Sequence, residues 1–173
     1  MGKTILTAHQ QNLLLAAKRD NVIVKTFYLT GGTALSHYYL KHRISEDFDF
    51  FSEKEFPHHT VQVWAKKTAK QTNADDLEYQ TLNGQDIYYF HYPREMVKVD
   101  FAYYPFEHVG SYLLDEKLRV SSIADIGINK LHALTTRKRG RDFVDLYEII
   151  HSRGPTLKEL LAGYRLKFDL YVR

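Results

Sequence analysis

FYLTGGTALSHYYLKHRISEDFDFFS, residues 27–52, carries two signals a short loop apart. First, β-formers from Phe27 to Thr30 run into Gly31-Gly32-Thr33. Then Asp47-Phe48-Asp49-Phe50-Phe51 alternates acids with aromatics. The order predicts a strand, a glycine turn, a short helix over 33–40, a loop and a second strand. Glycines without a Cβ let the backbone turn sharply and approach a ligand closely. A helix start after such a turn offers unpaired N–H groups to a phosphate. A Gly-Gly pair taken alone equally describes an ordinary strand-to-helix turn.

In a strand, residues two apart point the same way. Asp47 and Asp49 therefore share one face, and Phe48 and Phe50 turn to the core. Two like charges side by side repel, and Mg²⁺ gives a reason for both, because it takes carboxylate and phosphate oxygens together. A solvated strand face carrying two surface acids is the alternative.

The chain has 173 residues, which predicts one domain with a real hydrophobic core. A hydrophobic share of 44% beside 26% charged residues excludes a disordered chain. Its 13 Tyr and 10 Phe suit half-buried strands. The net charge of +3 permits a nucleotide or nucleic-acid partner without arguing for one. With no cysteine, disulfides and thiolate metal sites are excluded. The start lacks the apolar core of a signal peptide, and no apolar run is long enough to span a bilayer. The expectation is a cytoplasmic protein with no membrane partner.

Outside the opening stretch, Thr7 is placed to cap a helix over 10–18, which Asp20-Asn21 breaks. Past Pro57, Val61, Trp64, Ala65 and Thr68 form a helical stripe within 58–71. Residues 76–82 and 85–92 read as strands joined by Asn83-Gly84, a hairpin turn signal, and Pro93 stops the second. In the strand from Met96 to Tyr104, Val97, Val99, Phe101 and Tyr103 take one face, and Lys98, Asp100 and Ala102 the other. Should this strand pair beside the Asp47–Asp49 strand, three acids converge, which is hard to justify without a cation. Residues 104–120 read as loop or short irregular structure.

The remainder is helical. Ser122 with Asp125 forms a capping arrangement, and Lys130, Ala133, Leu134 and Arg137 then share a face. Gly140 is expected to end or kink that helix. A second helix begins at Arg141 with Asp142, Asp145 and Ile149 on one side. Thr156 with Glu159 caps a last helix over 157–168. In the basic run 137–141, Arg137 shares the face of Lys130 and reads as a phosphate or RNA contact, whereas Lys138 and Arg139 read as solvated. The histidines do not assemble at zinc spacing, and sequence order alone supports no Ser-His-Asp arrangement.

Together these parts resemble a family. Gly31-Gly32-Thr33, Asp47-x-Asp49 and a lone strand Asp100 look like a polymerase-β-type nucleotidyltransferase core. Lys130, six residues, Arg137, three residues, Arg141-Asp142, two residues and Asp145 match the late motif of the AbiEii-type nucleotidyltransferases. Those are known as toxins of toxin–antitoxin and abortive-infection systems. The resemblance covers residues 27–150.

It implies an α+β fold: a mixed β-sheet flanked by helices, with residues 1–105 as catalytic core and 121–173 as a helical C-terminal part of one 1–173 domain. It implies that Asp47, Asp49 and Asp100 bind Mg²⁺ or Mn²⁺, Asp100 as third ligand or as base for the incoming hydroxyl. Gly31, Gly32 and Thr33 would hold the triphosphate, and Lys130 and Arg137 would contact phosphates. Arg141, Asp142 and Asp145 would complete the late motif, with Asp142 among the catalytic acids. The implied partners are an NTP, an acceptor RNA such as tRNA or a protein, and a cognate antitoxin. The alternatives are a nucleotide- or RNA-binding module that kept the fold without the chemistry, and a protein-interaction partner. An aminoglycoside-type nucleotidyltransferase shares the core but not the late motif.

Overall fold

A left-handed glycine sets the geometry of the 27–52 stretch. The computed structural model describes residues 5–137 and 139–168, so residues 1–4 and the expectation for Lys138 lie outside it. Strand β1 (Tyr28–Thr30) runs into Gly31, whose φ of +76° is one that L side chains rarely adopt. Helix α3 (Gly31–Ala34) begins there and widens into a π-helical segment, Leu35–Leu40, which Lys41 ends at φ 53°. Strand β2 (Asp47–Ser52) follows, and its burial alternates with Phe48 and Phe50 inward.

Upstream, Thr7 and Gln10 form a reciprocal capping box that starts α1 (Ala8–Arg19). Asp20 ends α1, and its carboxylate then caps a short helix that the sequence had not suggested, α2 (Asn21–Thr26). Beyond β2 come α4 (His58–Gln71), β3 (Asp76–Leu82), β4 (Gln85–Tyr92) and β5 (Glu95–Tyr103). Asn83 and Gly84 both take positive φ, 51° and 76°, as the tight hairpin requires.

Residues 104–120 depart from the expectation of irregular structure. They contain the hairpin β6 (Leu113–Asp115) and β7 (Leu118–Val120), with Glu116 at φ 55° in its turn. Strands of three residues are too short to show a period of two. Leu118 and Val120 are nevertheless fully buried, because β7 lies parallel to β1 inside the sheet.

Seven strands form one mixed sheet in the order β3-β4-β5-β2-β1-β7-β6. At its centre β2 runs parallel to β5 and antiparallel to β1. One face is apolar: Phe50 stacks on Phe101 at 5.3 Å, and Trp64 of α4 meets Phe101 edge-on at 5.3 Å. Leu13, Leu14 and Ala17 of α1 are buried in the same core. The other face of β2 carries the two acids.

Helix α5 (Ile123–Thr136) starts at Ser122, whose hydroxyl accepts from the Asp125 N–H. It packs against α6 (Gly140–His151) and α7 (Leu157–Phe168). The expectation that Gly140 ends α5 is corrected. The hydroxyls of Thr135 and Thr136 donate back to the His132 and Ala133 carbonyls, and Arg137 takes extended backbone at φ −145°. Gly140 instead opens α6. Among the described residues, no helix is long and apolar enough to cross a membrane.

Candidate active site

The sheet register brings the acids together. Asp49 lies level with Thr30 of β1 on one side and with Asp100 of β5 on the other, and Asp47 lies level with Lys98. Alternation along the parallel pair then puts Asp47, Asp49, Lys98 and Asp100 on one face. Gly31 sits against this group: a Cβ there would stand 2.0 Å from Asp49 Oδ2. Any larger residue would push the carboxylate aside.

Charge crowding shows in the proton affinities. Burial, with the charges of Asp100 and Asp47 added to it, pushes the Asp49 carboxyl up to about 7, against the opposing pull of Lys130 and Lys98. Burial also raises Asp100, although Lys98 bonds to its Oδ2 and holds it back. The other oxygen, Asp100 Oδ1, is buried with no partner. Among the described residues, no three His, Asp or Glu side chains are gathered into a cage for an ion; Lys98 stands within the group instead. Asp49 and Asp100, level across β2 and β5 and with one Asp100 oxygen unsatisfied, are hard oxygen donors of the kind that Mg²⁺ or Mn²⁺ takes.

The late motif supplies the opposite charge. Lys130 of α5 is buried, and its ammonium lies 2.7 Å from Asp142 Oδ1 and 2.7 Å from Asp145 Oδ2. Arg43 brings Nε to 2.6 Å from Asp145 Oδ1 and Nη2 to 2.8 Å from Oδ2, and His42 Nε2 reaches Oδ1 at 2.8 Å. Arg137 Nε stands 3.3 Å from Asp142 Oδ2. Burial alone would raise the Asp145 carboxyl. The Arg43 hydrogen bond, with Lys130 and His42, instead holds it well below the usual carboxylate range. Asp142 and Asp145 thus grip the cations from beneath.

A cleft of about 220 Å³ joins these groups. Gly32, Asp47, Asp49, Asp100, Lys130, Arg137, Arg141 and Asp142 all line it, as do Arg43, Lys98 and Arg139. Gly31 lines an adjoining space of about 270 Å³ that shares Asp49, Lys130 and Arg137. Two expected residues do not line either space. Thr33 is fully buried and its hydroxyl donates to the Asp47 carbonyl, tying the glycine turn to β2. Asp145 is fully buried under its three partners, Arg43, Lys130 and His42. Arg43, His42 and Lys98 escaped the sequence reading. The first two sit in a connector with no periodicity, and Lys98 differs from a solvated strand lysine only through its register with Asp47.

A second constellation has the form of a hydrolase triad. His108 Nε2 lies 3.1 Å from Ser121 Oγ, and Nδ1 lies 3.0 Å from Glu53 Oε1. Ser121 has no exposed surface, so no substrate reaches it.

Residues 14–171 match the family described as "Nucleotidyl transferase AbiEii toxin, Type IV TA system". The chain belongs to the AbiEii nucleotidyltransferase toxin family. An uncharacterized protein of Aquifex aeolicus, aq_aa25, is 31% identical over 151 residues, covering 84% of this chain and 68% of its own. Among solved structures, JHP933 of Helicobacter pylori superposes with a TM-score of 0.61 at 22% identity over 83% of this chain. A second H. pylori chain, named as a candidate nucleotidyltransferase, gives 0.63 at 21% identity over 86%. The chain spans 65% and 71% of those two proteins. The Megavirus polyadenylate synthase gives 0.53 at 12% identity, with 82% of this chain matched to 31% of the viral one. These likenesses show the polymerase-β-like nucleotidyltransferase fold. This AbiEii family member is accordingly a nucleotidyltransferase.

Proposed function

We propose that the protein moves an NMP from an NTP to an acceptor hydroxyl at the Asp47–Asp49–Asp100 cluster. One observation carries the reading: Asp49 and Asp100 lie side by side across β2 and β5 in a cleft that Lys130 also lines. Asp47, Asp49 and Asp100 would hold Mg²⁺ or Mn²⁺, which when bound offsets triphosphate charge and favours attack at phosphorus.

The chain's own residues supply positioning and charge. The Gly31-Gly32 turn lets the backbone approach the triphosphate, and Lys130 and Arg137 face the phosphates across the cleft. The acceptor oxygen bonds to the α-phosphorus, the bond to the β-phosphate bridge breaks, and pyrophosphate leaves with its electron pair. Asp100 takes the hydroxyl proton. Arg139 and Arg141 line the same cleft and favour a polyanionic acceptor, an RNA such as tRNA, over a protein. In this reading the enzyme is a cytoplasmic toxin with a cognate antitoxin.

The test is incubation with each labelled NTP, Mg²⁺ and total RNA or total protein, following which fraction gains label. Asp49→Asn abolishes the transfer; unchanged transfer would sink the assignment. A second reading, a nucleotide-binding module without turnover, is favoured by Lys98 already holding Asp100 Oδ2, an oxygen that a catalytic ion would need. In that case Asp100→Ala leaves nucleotide affinity intact, and the wild type shows no turnover to lose.

A further inference from the structure

We propose that Lys98 is the carboxylate cluster's built-in counter-cation, which a divalent ion must displace from Asp100 in order to bind, so that Lys98 sets the cluster's affinity for that ion. The inference rests on the cluster being the ion site of the proposed function.

Placement comes first. Lys98 and Asp100 lie two apart on β5, facing the same way, and Lys98 is level with Asp47 on β2. Its ammonium bonds directly to Asp100 Oδ2. The side chain is only 24% exposed and that of Asp100 10%, so solvent screens the pair weakly.

The distribution of the other cations comes next. Lys130, Arg43 and Arg137 are committed to Asp142 and Asp145, and Arg139 and Arg141 line the cleft without an ion pair to the three acids, Arg139 acting on Asp100 only at longer range. Among the described residues, Lys98 is the cation within ion-pair distance of the three-acid group. Three acids on adjacent strands repel one another at short range. One ammonium relieves that repulsion before any ion arrives.

The arrangement is also incomplete. Lys98 satisfies one oxygen of Asp100 and leaves the other buried without a partner. A lysine is a compact point charge on a flexible stem and can retreat toward Asp47 without disturbing the strand. A divalent ion offers twice the charge and can take several oxygens together. Exchange of the ammonium for the ion is therefore favourable, but weaker than binding to a bare cluster.

The experiment titrates the full chain with Mn²⁺, without nucleotide, and reads free Mn²⁺ by electron paramagnetic resonance. Lys98→Met binds Mn²⁺ at least about tenfold more tightly than wild type. Its melting temperature in EDTA falls below wild type and rises more steeply with Mn²⁺. Lys98→Arg, which keeps the charge, stays within about threefold of wild type. Lys98→Gln, polar and uncharged, repeats the Met result should the apolar variant fold poorly. Equal or weaker binding by both neutral variants overturns the proposal alone. No Mn²⁺ binding by wild type or either neutral variant overturns both this proposal and the ion site beneath it.

Discussion

Arg43 grips Asp145 with two prongs, Nε on Oδ1 at 2.6 Å and Nη2 on Oδ2 at 2.8 Å, across 102 residues of chain. The bridge fastens the connector before β2 to α6, and Lys130 of α5 closes onto the same carboxylate. Removing the acid leaves a buried ammonium and a guanidinium short of partners. Asp145→Asn is expected to cost about 3–5 kcal/mol in urea unfolding at neutral pH. The cleft cations lose their places with it, so transfer activity falls under conditions where the variant remains folded.

The same carboxyl makes a pH prediction. Its proton affinity is depressed in the folded state by Arg43, Lys130 and His42 acting against burial. The stabilisation is therefore fully present above the unfolded value of about 3.9 and is lost as pH falls below it toward the folded value. Urea midpoints measured from pH 7 down to pH 3 fall in the wild type across the acid limb. In Asp145→Asn the curve starts lower and falls less steeply there.

Gly31→Ala tests how tightly the turn and the acid are fitted. The positive φ strains any L side chain by roughly 1 kcal/mol, and the new methyl stands where Asp49 Oδ2 now is. Displacement of a reacting group by about 1 Å costs roughly 100-fold in rate. The variant is expected to melt modestly lower while transfer falls by about that factor. At Gly32 a Cβ would stand 2.4 Å from Arg43 Nη2, so Gly32→Ala loosens the Asp145 bridge and loses more in stability.

Ser121→Ala is the contrasting case. Its hydroxyl faces His108 in a sealed interior, and the variant loses one internal hydrogen bond, about 1 kcal/mol in urea unfolding. NMP transfer stays at the wild-type level. Neither protein hydrolyses a chromogenic ester in a His108-dependent manner.

The acid face was legible because period-two alternation leaves no choice: with Phe48 and Phe50 inward, Asp47 and Asp49 face out. Pairing of β2 beside β5 then brought in Asp100 by register. The facing of Asp142 and Asp145 was legible on the same ground, from helical spacing. Their partners were not, since a pattern states which side a residue takes and not what stands opposite it. Arg43 meets Asp145 only through tertiary folding, and its connector has no period to read. The β6–β7 hairpin hid because three residues are too few for alternation. Gly140 misled because glycine more often follows a helix than opens one, and the threonine hydroxyls had already stopped α5.

At Gly31 one missing methyl group serves two neighbours at once. The chain needs it gone in order to bend, and the Asp49 carboxylate occupies the room it vacates. Mutational drift here has no compensating path through its neighbour, because shortening Asp49 to make space would remove the very group the space was kept for. While the Asp49 carboxylate is needed, the two positions are bound to stay as they are.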